Sequence, residues 1–202
     1  MKLFFSPGAC SLSPHIVARE AGLNIDLIKA DTKTKKMDDG GDYWQVNAKG
    51  YVPALLLDDG QLLTEGPVIV QYLADRVPAS NLAPAAGTME RYRLQEWLNF
   101  ITSEIHKSFS PLFNPAATPE WKAGAKANLE KRFAFVAEKL AGRSYLMGEQ
   151  FTVADAYLFT VANWGQFVGL DIGQWPALKA HHARVAARPK VQEALKAEGL
   201  LK

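Results

Sequence analysis

Cysteine is nearly absent from this chain: its 202 residues hold one, Cys10. A single thiol excludes an internal disulfide framework and any zinc site built from several cysteines, and it fits a reducing compartment. An excess of one charge is lacking too. The 23 basic and 21 acidic residues leave a net charge of +2, too little to point to nucleic acid or an anionic membrane surface. No apolar run approaches the roughly 18 residues of a membrane helix. Leu3-Phe4-Phe5 is too short for the core of a signal peptide. No internal repeat and no low-complexity tract stands out. The histidines His15, His106, His181 and His182 offer no convincing metal-ligand arrangement, so no metal is expected. These absences leave a cytoplasmic protein with neither nucleic acid nor membrane as partner. Its 48% apolar and 22% charged residues are ordinary for a globular chain of one large or two small domains.

The first eighty residues alternate short apolar runs with helical patterns. Leu3-Phe4-Phe5 reads as a strand, Ser6-Pro7-Gly8 as a turn, and about 11–21 as a helix stopped by Gly22. Residues 25–28 form a second strand, and a short helical piece covers about 43–46. Runs at 54–57 and 61–63 flank Asp58-Asp59-Gly60, an Asp-Gly hairpin signal. A helix follows over about 67–77, with Pro67 in its first turn. Strand–helix–strand implies a parallel pair and the hairpin an antiparallel one, so the sheet is mixed with helices packed on it. "PASNLAPAAG", 78–87, has the composition of a linker. After it every segment reads as helix: 88–113, 119–141, 152–167, 175–187 and 189–197. The reading is thus α/β followed by all-α, with domains at 1–80 and 87–202. Thr152 and Asp155 in "FTVADAYLF" have the spacing of a capping box.

Three places carry chemistry. Cys10, in "SPGACSLSP", sits between a strand-turn and the first turn of a helix, where unpaired backbone N–H groups favour an anion and so a nucleophilic thiolate. Position alone equally fits an inert, half-buried thiol. In "YVPALL", Pro53 ordinarily opens a strand through a trans bond; a cis bond would turn the Val52 backbone outward and leave its N–H and C=O to an extended peptide-like ligand. In "TEGPVIV", Glu65 and the helix start at Gly66 suit the ammonium and carboxylate of an amino-acid end, although taken alone they read first as plain helix capping.

The long helix of the second half has two faces. At roughly 100° per residue, Leu94, Leu98, Ile101, Ile105, Phe109 and Leu112 share one side, and Asn99, Ser103, His106 and Ser110 lie opposite. Neutral hydrogen-bonding groups with a histidine fit a plain polar face, and they also suit the wall of a polar cleft, where imidazole donates near neutral pH.

In order and spacing, the strand-turn-Cys-helix start, "VPALLLDDG", "LLTEGP", the linker and "FTVADAYLF" resemble a cytosolic glutathione S-transferase along essentially the whole chain. Cys10 and "NFITSEIHKSFSPLF" resemble the bacterial beta class. The resemblance implies a thioredoxin-like N-terminal domain with a mixed four-stranded sheet, an all-helical C-terminal domain, a homodimer, and glutathione as co-substrate. It makes Cys10 and His106 the catalytic pair, with Cys10 able to form a mixed disulfide with glutathione. It places Val52 and a cis Pro53 against the cysteinyl part, Glu65 and Gly66 at the γ-glutamyl end, and Lys35 at the glycine carboxylate. Asn99, Ser103, His106 and Lys107 complete a polar wall. By sequence alone Lys35 is an ordinary solvated charge. Two positions depart from many relatives. Phe5 stands where a thiol-activating Tyr is common, and Gly66 stands where Ser is common. Ser11, beside Cys10, could serve as a secondary hydroxyl donor.

The function expected is transfer of the glutathione thiolate to a small apolar electrophile, with Phe5, Pro7, Phe109, Phe113 and Trp164 as candidates for the apolar wall. The same site would serve thiol–disulfide exchange, peroxide reduction or reductive dehalogenation through Cys10. A non-catalytic binder of apolar ligands is the third reading.

Overall fold

The computed structural model describes Met1–Leu201. Its chain divides into two compact units. One comprises Met1–Ala83 together with the segment from Ala187 onward, the other Pro84–Ala186.

The first unit is built on four strands, β1 (Lys2–Phe5), β2 (Asp26–Lys29), β3 (Ala54–Leu56) and β4 (Leu62–Thr64). Their spatial order is β2-β1-β3-β4. β1 pairs with β2 in parallel, and the β1–β3 and β3–β4 pairs are antiparallel, the mixed sheet the sequence pattern demands. Leu3 and Leu55 face each other in register and are fully buried. Phe4, Ala30, Tyr43, Val52 and Ala54 form a second buried cluster. Helix α1 (Leu12–Glu20) packs beside α2 (Gly66–Arg76). The short helical piece is a 3-10 turn, Tyr43–Gln45, started by the Asp42 carboxylate accepting from Trp44 N–H.

The second unit is helical. α3 (Met89–Phe100) starts at Thr88, whose Oγ accepts from Arg91 N–H at 3.2 Å. The expected 88–113 helix is continuous but not uniform. It widens to a π-helical turn over Ile101–His106, tightens to 3-10 over Lys107–Phe109 and ends as α4 (Ser110–Phe113). Ile101, Ile105 and Phe109 stay buried at four-residue intervals through this stretch. A π turn inside an α-helix often marks a functional position. α5 (Pro119–Leu140) begins at a Thr118 cap, and α6 (Val153–Ala162) begins with the capping box of Thr152 and Asp155 that the sequence spacing predicts. α7 (Pro176–Ala186) completes this unit.

The last helix, α8 (Pro189–Ala197), differs from the sequence reading, which extended the helical domain through 202. It packs on α1 and belongs with the first unit. Arg188 grips the Glu20 carboxylate with two bonds of 2.7 Å. The buried Glu198 carboxylate accepts from Gly8 N–H at 2.9 Å and meets His15 Nδ1 at 2.9 Å. Arg19 Nε donates to His15 Nε2 at 3.4 Å, which suits the Nδ1–H tautomer. This is a charge network that local periodicity cannot announce.

Candidate active site

The turn 6–11 sets Cys10 at the mouth of α1. Ser11 adopts the N-cap position but does not cap the helix. Its hydroxyl instead accepts from Ser6 N–H at 3.1 Å and donates to Ser6 C=O at 3.2 Å, tying the turn to the strand end. Cys10 is partly exposed. Its thiol donates to the Val52 carbonyl at 3.2 Å, a bond only the protonated sulfur can make.

The Val52–Pro53 peptide bond is cis. The expectation that both polar groups of Val52 stand open meets a correction, because the carbonyl already holds the Cys10 thiol. A carbonyl oxygen keeps a second lone pair, and the Val52 N–H donates to no partner among the described residues. The stretch leading to Val52 is fastened from below. The Tyr51 carbonyl accepts from Tyr43 Oη at 3.1 Å and from Asn47 Nδ2 at 2.8 Å. Burial holds the Tyr43 phenol above its ordinary pKa, so it stays a donor. Gly50 is required here: at φ +67°, an added Cβ would sit 2.4 Å from the Trp44 ring.

Glu65 occupies the N-cap position of α2 at φ 70°, ψ 109°. A non-glycine residue in that region costs about 1–3 kcal/mol, a cost that clusters at functional sites. The Glu65 carboxylate is held by Lys49 Nζ at 2.5 Å and by Tyr51 Oη at 3.3 Å. Gly66 is the first helical residue rather than the cap. A Cβ on Gly66 would meet only Pro53 Cγ, at 3.7 Å, so the place of a serine side chain is sterically open. Lys35 is not freely solvated. Its ammonium donates to the Gly50 carbonyl and lies 5.4 Å from the centre of the Trp44 ring. The first unit therefore gathers Lys35, Cys10, Val52, Pro53, Glu65 and Gly66 around one backbone stretch. Lys49, Tyr51 and Trp44 join them, none expected from sequence. Only their place in "YWQVNAKGYVP", just upstream of the cis bond, could have signalled them.

In the helical unit, His106 lies at the end of the π turn with Nδ1 2.6 Å from the Tyr157 hydroxyl and its ring edge-on to Trp164, centroids 4.8 Å apart. Tyr157 is buried and sits inside an apolar helix, which concealed its role. Asn99, Ser103 and Lys107 are exposed, and the Ser103 hydroxyl donates to the Asn99 carbonyl. Phe109, Phe113 and Trp164 form an aromatic cluster with centroids 5.5–6.0 Å apart. Phe5 and Phe109 are core residues, whereas Pro7 and Phe113 are exposed. Among the described residues no cluster of His, Cys, Asp and Glu could hold a metal ion, and no helix is long and apolar enough to cross a membrane.

A thioredoxin-like sheet with a helix-mouth cysteine facing a cis-proline edge, followed by a helical unit, defines the class as a glutathione-dependent transferase. Comparison with known proteins narrows this. Residues 8–76 match the family model for the glutathione S-transferase N-terminal domain, and 100–189 that for the C-terminal domain. The chain is 50% identical to glutathione S-transferase GstA of Escherichia coli O157:H7, over 99% of this chain and all of the relative. Its structure is similar to BphK, a bacterial transferase solved as a ternary complex, at 58% identity and TM-score 0.97, covering 99% and 100% of the two chains. A sphingomonad glutathione S-transferase complexed with glutathione matches at 49% identity and TM-score 0.96, with both chains fully covered. The chain belongs to the glutathione S-transferase family, in its bacterial beta class.

Proposed function

We propose that this transferase binds glutathione along the Val52–Pro53 edge and transfers its thiolate to a small apolar electrophile. The observation that carries this reading is the Cys10 thiol, partly exposed at the mouth of α1 and bonded to the Val52 carbonyl beside a cis proline. An extended tripeptide answers the Val52 N–H and the remaining carbonyl lone pair, as strand addition does. Glu65 takes the γ-glutamyl ammonium, and the first N–H groups of α2 take its carboxylate. Lys35, steadied on Gly50 and Trp44, takes the glycine carboxylate.

The family resemblance, rather than any distance, assigns Asn99, Ser103, His106 and Lys107 to the same reaction. The Tyr157 hydroxyl meets His106 at Nδ1, and in the tautomer that carries its proton on Nε2 that nitrogen is the one to donate to a sulfur. Hydrogen-bond donors around the glutathione sulfur favour its thiolate, and the thiolate attacks the electrophilic carbon. Phe113 and Pro7 are the exposed members of the expected apolar wall. The resemblance also supports a homodimer, working in the cytoplasm.

The second reading keeps the site. A partly exposed lone thiol has no resolving partner in the chain, so an exchange reaction passes through a mixed disulfide that a second glutathione resolves. Cys10→Ala separates the two. Conjugation of 1-chloro-2,4-dinitrobenzene survives in the variant if the cysteine only assists, while exchange with a glutathione mixed disulfide falls to background. A native protein that binds glutathione or a hydrophobic dye but turns over no electrophile and no mixed disulfide would sink both and leave a storage protein.

A further inference from the structure

The γ-glutamyl ammonium of glutathione is not the only cation suited to Glu65. The Lys49 ammonium lies 2.5 Å from Glu65 Oε1 and also donates to the Thr64 hydroxyl at 3.0 Å. Tyr51 Oη reaches the same carboxylate oxygen at 3.3 Å. The pair is about half exposed on both sides, so a ligand ammonium has direct access to it. The Glu65 backbone is held in the left-handed region, with its carbonyl accepting from Val68 and Ile69 N–H at the head of α2, and Lys49 and Tyr51 both converge on the same carboxylate oxygen.

We infer that Lys49 is a specificity-determining residue. Its ammonium occupies the carboxylate where a ligand's amino group must bind, so every amino-bearing ligand binds only after displacing an internal competitor. The inference rests on the reading that Glu65 receives the γ-glutamyl ammonium. Displacement sets a threshold. A thiol peptide without the amino group leaves the Lys49–Glu65 pair intact and gains nothing from Glu65. One that presents a full ammonium together with its neighbouring carboxylate exchanges one ion pair for another and adds the bonds at the α2 start. The hydrogen bond to Glu65 keeps the Lys49 ammonium protonated above its ordinary range, so the competitor is charged throughout the pH range in which glutathione keeps its own ammonium.

The test is calorimetric. Dissociation constants are measured under reducing conditions for glutathione and for its analogue lacking only the γ-glutamyl amino group, with the native protein, Lys49→Met and Lys49→Arg. The readout is the ratio of the analogue's constant to that of glutathione. Removing the competitor raises this ratio about two- to fivefold in Lys49→Met, the scale of an exposed ion pair, and Lys49→Arg stays with the native protein. A general loss of structure would move both ligands together and leave the ratio unchanged. A ratio above one that is the same in native and Lys49→Met, or lower in the variant, overturns the inference while Glu65 keeps its assignment. A ratio of one in both proteins removes the Glu65 assignment itself, and the inference with it.

Discussion

His182 shows how a single side chain ties fold to pH. Its Nε2 bonds Asn163 Oδ1 at 2.7 Å, and its ring lies against Phe159 with centroids 4.6 Å apart. Burial, and then the neighbouring His181, push its pKa down from 6.5 to about 4. The unfolded chain takes up this proton near 6.5 and the folded chain only near 4. Stability is therefore full above 6.5 and declines as the pH drops from there toward 4. The loss at pH 5 relative to pH 7 is about 1–2 kcal/mol. Urea midpoints at the two pH values check this. His182→Gln should flatten the difference, and an undiminished difference would place the acid sensitivity elsewhere. From sequence the His181-His182 pair looked uninformative, because nothing local distinguishes a buried imidazole from a solvated one. Cys10 was different: its position between strand, turn and helix was visible, but its bond to Val52 was not.

At the scale of elements, the start of α6 is the feature most plainly written in the chain. Thr152 and Asp155 have capping-box spacing, and the box forms. Asp155 does more than cap. Its fully buried carboxylate accepts from Thr152 N–H and Leu146 N–H, each at 2.8 Å, and from the Thr152 hydroxyl at 2.9 Å, and it meets His181 Nε2 at 2.9 Å. Asp155→Ala strands several buried donors at once and should cost about 3–5 kcal/mol, or roughly 10 °C in melting temperature for a chain of this size. Thr152→Ala, which leaves the carboxylate in place, should cost about 1 kcal/mol. Thermal melts followed by circular dichroism rank the two, and equal effects would show that the carboxylate acts only as a cap. The π turn at Ile101–His106 was not legible in the same way. A uniform 100° period already accounts for Leu94, Leu98, Ile101 and Phe109, so the pattern alone gives no reason to widen a turn.

For the whole molecule, the last helix decides how the first unit is held. Glu20–Arg188 and the Gly8, His15, Glu198 cluster fasten α8 to α1 near both of its ends. A chain ending at Ala186 loses both, and the turn that carries Cys10 loses the acceptor for Gly8 N–H. Hydrogen exchange should then accelerate in α1 and the Cys10 turn, with weaker retention on immobilised glutathione, while α5 to α7 stay protected. Unchanged protection of α1 in the truncated chain would show that α8 is dispensable to it. Helical periodicity says where a helix is but not which neighbour its apolar stripe meets, so by sequence alone the C-terminal segments read as one helical domain.

Local chemistry by itself determined the order of strands and helices, the Asp-Gly hairpin, the cap at Thr152, a helix start with Pro67 in its first turn, and a cysteine at a helix mouth. Each of these depends on residues a few positions apart, whose sterics and hydrogen bonds act before any tertiary contact forms. Only the tertiary structure decided that Cys10 donates to Val52, 42 residues away, that Glu198 reaches back 183 residues to His15, that Tyr157 orients His106, and that Lys49 covers Glu65. Those pairings join groups with no periodic relation along the chain, and packing of whole elements is what brings them within bonding distance.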